Sequence, residues 1–197
     1  MSAQRAPEVR ALHLRMLLDA LPTLGTEPAR AVLARIPEAA LRRIQRAGRL
    51  AWLPARLLVE TCEAAAPVLG EDGLRRWGAV ALEDAAGAPL TRAFFLAALG
   101  RERRDPAALF SYLIKAWPLL YGGCGDLVAL SREAGSVRLL HGPTPLALRR
   151  SATVLPLIGA LAAVPAHCGL LGHGEAKWST EAEWFEYRIS WVRPPGA

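Results

Sequence analysis

The segment that most restricts the fold of this chain lies near its C-terminus, at residues 185–191. Phe185, Tyr187, Ile189 and Trp191 are apolar, whereas the residue between each neighbouring pair is polar. Successive side chains of a β-strand point to opposite faces, so this period of two predicts a strand with one buried and one wetted face. Such a strand needs partners, which other parts of the chain must supply.

Candidate partner strands lie before this segment. Residues 168–177 are predicted to pair with it, and residues 126–131 and 136–140 are predicted to form an earlier hairpin. A helix at 146–164 joins the two hairpins and tolerates an internal proline as a kink or a restart. The C-terminal part is therefore predicted to be a four-stranded antiparallel sheet with a β-β-α-β-β order.

The first 120 residues instead show apolar residues at helical spacing, interrupted by proline and glycine. Asp105 and Pro106, for example, are an N-cap and first-turn pair that opens a helix. The predicted helices cover 8–21, 26 onward, 37–48, 54 onward, 71–86, 90–99 and 107–121. We therefore predict an α+β fold in which 1–197 form a single domain, with a helical part at 8–122 and a sheet-containing part at 125–193.

Charge narrows the classes of function. The chain has 24 Lys and Arg against 18 Asp and Glu, which gives a formal net charge of +6. The basic residues are scattered and interspersed with acidic ones, as on solvated helix faces, whereas affinity for nucleic acid needs a focused basic surface. The sequence therefore predicts no nucleic-acid partner.

Cysteine usage indicates the compartment. Cys62, Cys124 and Cys168 are an odd number of cysteines in a chain long enough to fold without disulfides, which favours free thiols in a reducing environment. Charged residues also interrupt the first apolar stretch, so no signal-peptide core is expected. We predict a cytoplasmic location.

One apolar run has the length of a membrane span. Residues 151–174 contain no Asp, Glu, Lys or Arg. Pro156, Pro165 and several glycines divide this run into a helix-like and a strand-like half, each shorter than the roughly 20 residues that a spanning helix needs. The sequence therefore predicts no membrane span.

Several loose motifs carry a resemblance to known proteins: residues 41–48, Leu53-Pro54, GLRRWG at 73–78, GAPL at 87–90 and FEYRISW at 185–191. Over most of its length the chain resembles a myxobacterial family of uncharacterised proteins. Its order of elements is also similar to that of the heme and nitric-oxide binding domain, the 4-vinyl reductase-type domain and the Golgi transport-complex subunits. The resemblance implies a ligand-sensing or protein-interaction module.

The functional residues of these relatives do not carry over. The Tyr-x-Ser-x-Arg signature that holds the heme propionates in the nitric-oxide sensors is absent, and Cys168 has no cysteine partner in the final strand. His167, Cys168 and His173 are zinc-ligand types, but on one strand the two histidines would lie roughly 20 Å apart. We therefore predict no metal site and no cofactor.

No segment indicates catalysis. The glycine-rich residues 169–174 lack the following helix that a phosphate loop requires. Cys124 lies between glycines and is a candidate exposed thiol, but no histidine near it in the sequence would generate a thiolate. The carboxylates are spaced as helix-surface charges. We predict that the chain is not an enzyme.

Aromatic residues in the helical part are the candidates for a ligand pocket. Trp77, Phe94, Phe110, Trp117 and Tyr121 recur at helical spacings and are candidates to line an apolar cavity between helices and sheet. Ordinary core packing explains the same pattern, and both interpretations stay open at this point.

The main functional hypothesis is a non-catalytic module that binds a partner protein or a second copy of itself as a homodimer, with or without an apolar pocket. The alternative is a small-molecule sensor for heme or another hydrophobic ligand. A closed cavity would favour the alternative, whereas exposed apolar patches would favour the interaction module.

Overall fold

The computed structural model describes residues 6–87 and 105–195. The helix predicted at 90–99 and the ligand candidate Phe94 lie outside these residues. In chain order the elements are β1 (Glu8–Arg10), α1 (Ala11–Ala20), a 3-10 turn (Leu21–Leu24), α2 (Thr26–Leu33), α3 (Glu38–Arg46), β2 (Trp52–Pro54), α4 (Arg56–Gly87), α5 (Pro106–Leu120), β3 (Tyr121–Gly122), β4 (Asp126–Glu133), β5 (Ser136–Gly142), a 3-10 turn (Leu146–Leu148), α6 (Ser151–Ala163), a 3-10 turn (Val164–Cys168), β6 (Leu171–Lys177) and β7 (Phe185–Val192).

The predicted four-stranded sheet is confirmed. Its order is β4-β5-β7-β6, and every neighbouring pair is antiparallel. The inward residues of β5 stand opposite those of β7 in the pairs Val137 and Ile189, Leu139 and Tyr187, and His141 and Phe185. All six are buried, so the period of two in the final strand does mark a core face. Helices precede this sheet, and the fold is α+β.

A second, smaller sheet was not predicted. Its order is β2-β1-β3, with both neighbouring pairs antiparallel. Residues 8–10 were predicted to start the first helix, but they pair with β2 and β3, and the helix begins at Ala11. Strands of two or three residues are too short to show a periodic pattern, which is why the sequence did not reveal them.

The connection between the hairpins also differs in detail from the prediction. The predicted helix at 146–164 is the shorter α6, which lies between two 3-10 turns. The strand predicted from residue 168 begins at Leu171, because Cys168 still belongs to the second turn. Gly169 ends that turn with φ 73°, a left-handed conformation that favours glycine.

Helix α6 packs against α4 on one side and β6 on another, and four glycines allow the approach. A Cβ on Gly78 would lie 1.8 Å from the Pro156 carbonyl oxygen, and one on Gly159 would lie 1.8 Å from that of Arg75. A Cβ on Gly172 would lie 2.0 Å from the Ala162 carbonyl oxygen. We call Gly78, Gly159, Gly172 and Gly174 the glycine contacts. They account for part of the glycine-rich segment 169–174 by close packing of backbone.

The stretch Ser151–Cys168 is the one helical run among the described residues that is long and apolar enough to cross a membrane. Of its residues, 56% are buried. It contacts α4, β6 and β7, which are the surroundings of a core helix.

Candidate functional site

A cavity of about 350 Å³ lies where the helices meet the inner face of the four-stranded sheet. Its described lining comes from α1, α4, α5, α6, β5 and β7, and is almost entirely apolar. No Lys, Arg, Asp or Glu is among these lining residues. The volume is at the lower end of the 300–1,000 Å³ range of small-molecule sites.

One wall of the cavity is a continuous series of aromatic rings, which we call the aromatic wall: His13, Tyr121, Trp117, His141 and Tyr187. Their ring centroids lie 5.2, 4.0, 4.9 and 6.1 Å apart in that order. The series runs from α1 through the C-terminal end of α5 to β5 and β7. The wall therefore links the helical part to the sheet.

His141 has both ring nitrogens engaged. A carbonyl only accepts, so Nε2–H donates to the Cys124 carbonyl oxygen at 3.0 Å. Nδ1 is then the acceptor and receives the Tyr187 hydroxyl proton at 3.2 Å. Burial lowers the pKa of His141 to about 4, so the ring is neutral at pH 7.

The other end of the wall is a pair of polar rings. The Tyr121 hydroxyl lies 3.2 Å from Nδ1 and 3.3 Å from Nε2 of His13. Burial lowers the pKa of His13 to about 4 and raises the pKa of Tyr121, so both side chains are neutral at pH 7.

The two thiols that line the cavity are protonated. Burial raises the pKa of Cys62 to about 12 and that of Cys124 to about 11. Cys124 is buried rather than exposed, and its Sγ donates to the Glu8 carbonyl oxygen at 3.3 Å. Neither thiol has the thiolate character that a nucleophile requires.

The cavity has a rim of exposed apolar residues. Leu50 and Leu119 line it and are 64% and 62% exposed. Arg10 links the backbone at these two residues. It donates Nε–H to the Leu119 carbonyl at 3.0 Å and a second N–H to the Leu50 carbonyl. Its guanidinium also lies 3.8 Å from the Trp52 ring centroid.

The sequence-predicted ligand residues are divided between cavity and core. Trp117 and Tyr121 belong to the aromatic wall. Trp77 is buried away from the cavity and donates its indole N–H to the Leu17 carbonyl at 2.7 Å. Phe110 is buried and stacks on Trp191 with centroids 6.1 Å apart. Phe94 lies outside the described residues.

Sequence reasoning did not place either histidine of the wall in a ligand pocket. The pattern Val137, Leu139, His141 places His141 on the buried face of its strand, a signal that was available. His13 lies between two leucines in a helix, and nothing in the sequence distinguishes it from an ordinary helix position.

The metal-ligand types near residue 170 are not brought together. His167 and Cys168 lie in the second 3-10 turn, whereas His173 is on β6. In the described parts of the chain, no group of three or more His, Cys, Asp or Glu side chains is arranged to hold a metal ion.

No protein-family model and no curated protein matches the sequence. Solved structures of H-NOX domains, which bind heme with nitric oxide or oxygen, do match in fold. They include an unliganded Fe(II) H-NOX protein from K. algicida, with 9% identity, a TM-score of 0.62 and coverage of 95% of this chain and 99% of that one. An oxygen-binding H-NOX domain related to soluble guanylate cyclases has 11% identity and a TM-score of 0.62, with coverage of 94% of this chain and 96% of that one. An H-NOX protein from S. oneidensis in the Fe(II)NO state has 12% identity and a TM-score of 0.62, with coverage of 93% of this chain and 99% of that one.

These matches confirm, as a likeness of fold, the predicted resemblance to the heme and nitric-oxide binding domain. They give no support to the predicted resemblance to the myxobacterial family, the 4-vinyl reductase-type domain or the Golgi transport-complex subunits. The chain is thus similar to H-NOX domains in fold, at about one identical residue in ten.

Proposed function

We propose that this chain is a non-catalytic small-molecule sensor domain whose hydrophobic ligand occupies the cavity beside the aromatic wall. The observation that carries the proposal is a cavity of about 350 Å³ with no charged residue in its described lining. Small-molecule sites are typically concave and apolar with a few placed polar groups, which is the character of this cavity. The similar structures, named as heme, oxygen and nitric-oxide binding proteins, support a ligand-sensing role.

Heme itself needs an iron ligand, and several candidate side chains here are hydrogen-bonded within the protein or, in the case of the thiols, protonated. Heme iron is held by His, Cys thiolate, Met or Tyr. Both nitrogens of His141 are hydrogen-bonded, and the cavity thiols are protonated. Residues 88–104 contain none of these four residue types. His13, Met16 and Tyr112 remain as lining side chains that could hold iron, so ligation alone does not decide the question.

Charge decides it. Heme carries two propionate carboxylates, and burying a carboxylate without a cation or a set of donors is costly. The described lining has no Lys or Arg. Arg10 and Arg15, which flank His13 in the sequence, both donate to backbone carbonyls. The described residues therefore do not fit heme, and we propose a ligand without carboxylates.

Protein interaction remains the second hypothesis. One observation favours it: Leu171 and Val192 are register partners at one edge of the sheet and are 54% and 64% exposed. This pair is much smaller than a stable protein interface. The cavity is the stronger basis for a functional proposal.

The experiment is a binding titration with N-phenyl-1-naphthylamine, an uncharged fluorophore that brightens in apolar surroundings. The wild-type chain should bind it with one saturable site. Ala116 lines the cavity on α5, so Ala116→Phe should fill part of the space and weaken binding by at least tenfold. Ala108, half-buried on the same helix and outside the lining, supplies the matched control Ala108→Phe. Absence of saturable binding by the folded wild-type chain would reject the proposal.

A further inference from the structure

The cavity contains several polar groups, and most of them are already paired within the protein. His141 is hydrogen-bonded to the Cys124 carbonyl oxygen and the Tyr187 hydroxyl. The Trp117 indole N–H donates to the Gly125 carbonyl at 2.8 Å. The Thr153 hydroxyl lies 2.7 Å from the Leu148 carbonyl oxygen, to which it donates. These side chains satisfy backbone carbonyl oxygens and have little hydrogen-bonding capacity left for a ligand.

The His13–Tyr121 pair is different, because it has unused hydrogen-bonding capacity at a buried position, whereas the Tyr112 side chain, which also lines the cavity, is 37% exposed. A neutral imidazole has one donor nitrogen and one acceptor nitrogen, and a phenol both donates and accepts. One hydrogen bond joins the two side chains, whichever His13 nitrogen makes it. If the Tyr121 hydroxyl donates to His13, the His13 N–H remains as a free donor and the Tyr121 oxygen as a free acceptor. If His13 donates to Tyr121, the Tyr121 O–H remains as a free donor and the other His13 nitrogen as a free acceptor. Either way, one donor and one acceptor are left over.

We infer that the cavity takes an uncharged, mainly apolar molecule with a single hydroxyl-type group, and that the His13–Tyr121 pair holds that group. The inference rests on the proposed function and adds the class of ligand. A hydroxyl donates one bond and accepts another, so it matches the spare donor and acceptor together. An ether matches only the donor.

A carboxylate is excluded by the same count. It only accepts, so it would use the spare donor and place its second oxygen against the spare acceptor. No Lys or Arg in the described lining would offset its charge. Both rings are neutral at pH 7, because burial lowers the pKa of His13 to about 4 and raises that of Tyr121. A fatty alcohol and a fatty acid of equal length should therefore bind very differently.

The test displaces N-phenyl-1-naphthylamine from the full chain at pH 7.5 with 1-decanol, its methyl ether and decanoate. We expect 1-decanol to bind about tenfold more tightly than the ether, which corresponds to one net hydrogen bond. Decanoate should bind at least a hundredfold more weakly than 1-decanol. His13→Phe should bring the alcohol and the ether within twofold of each other, with the affinity of the variant for the fluorophore measured directly and used to convert each displacement into a Kd.

Two further variants keep the test decisive. Tyr121→Phe removes the other half of the pair and should also abolish the preference for alcohol, so it serves if His13→Phe does not fold. His173→Phe makes the same replacement at a histidine that is exposed and outside the cavity, and should keep the wild-type preference. Equal binding of alcohol and ether, tight binding of decanoate, or an unchanged preference in either pair variant would overturn the inference while fluorophore binding still supports the proposed function. Loss of fluorophore binding by the wild-type chain would overturn both.

Discussion

Helix α6 is closely packed on one side and borders a cavity on the other. Toward α4 and β6, the glycine contacts bring backbone against backbone, with no room for even one methyl group at Gly159. Toward α1 and α5, Leu157, Ala160 and Leu161 of the same helix border a cavity of about 350 Å³. Tight packing and open space thus meet at one helix, because Gly78 and Pro156 of the tight contact also border the cavity.

This difference indicates that the cavity is a built feature rather than loose packing. Protein interiors are close-packed, and a void persists only where the surrounding structure does not relax into it. Backbone contacts at Gly78 and Gly159 hold α4 and α6 at a fixed distance. Because the two helices are fixed, the side chains that they direct toward the cavity do not move in to fill it. The aromatic wall holds the opposite side through its own hydrogen bonds.

The largest expected effect comes from breaking the tight side. Gly159→Ala places a Cβ 1.8 Å from the Arg75 carbonyl oxygen, so α4 and α6 must separate. We expect the free energy of unfolding to fall by about 3 kcal/mol or more, measured by urea denaturation. Gly48→Ala is the control, since its Cβ meets nothing within 4 Å and the change should be under about 0.5 kcal/mol. Equal stability of Gly159→Ala and wild type would show that the glycine contacts do not hold the helices.

The two buried histidines on the cavity side should make the free energy of unfolding depend on pH. Burial lowers the pKa of His13 and His141 from 6.5 to about 4 in the folded chain. The unfolded chain binds a proton at each histidine near pH 6.5, so stability is present above that pH and is lost as pH falls toward 4. Each histidine should contribute a slope of about 1.4 kcal/mol per pH unit within this window.

Urea denaturation between pH 7 and 5 measures this slope. His13→Phe should remove roughly a third to a half of the loss of stability, because burial also lowers the pKa of His141 and, in the same direction, of the half-buried His167. The exposed His173 is the matched control, and His173→Phe should keep the wild-type slope. An unchanged slope in His13→Phe would mean that this ring takes up a proton in the folded state as easily as in the unfolded chain.

The smallest expected effect concerns the start of α5, the helix that carries Trp117. The Asp105 carboxylate accepts the Ala107 backbone N–H at 2.9 Å and caps this helix. Asp105→Ala should lower the free energy of unfolding by about 1 kcal/mol, whereas Asp105→Asn should cost much less. Fluorophore binding should stay near the wild-type value, because Asp105 itself does not line the cavity and the far end of α5 forms the aromatic wall. A large loss of binding would instead tie the cavity to the start of the helix.

The sequence predicted the sheet because its pattern is strong and local. Alternation over 185–191 marks the buried face of β7, and the Asp105-Pro106 pair marks the start of α5. The assignment of 1–197 to a single domain and the cytoplasmic location stay predictions. The short strands of the small sheet were missed because each is stabilised by pairing with distant residues rather than by its own pattern.

The site was harder to predict, because a cavity depends on which side chains fail to meet. Trp77 and Trp117 both recur at helical spacing, yet one lies in the core and the other borders open space. Only the packing of α4, α5 and α6 separates these outcomes. The glycine spacing at Gly172 and Gly174 was a usable signal, since small residues two apart on a strand allow a helix to approach its face.

The most direct test of the central claim is native mass spectrometry of freshly purified full-length chain, combined with an absorption scan from 350 to 700 nm, roughly the range of porphyrin absorption. We expect any co-purified molecule to be small, uncharged and mainly apolar and to leave on Ala116→Phe substitution, and we expect no heme band. One heme per chain, with a Soret band that His13→Phe removes, would contradict this expectation and make the cavity a heme site.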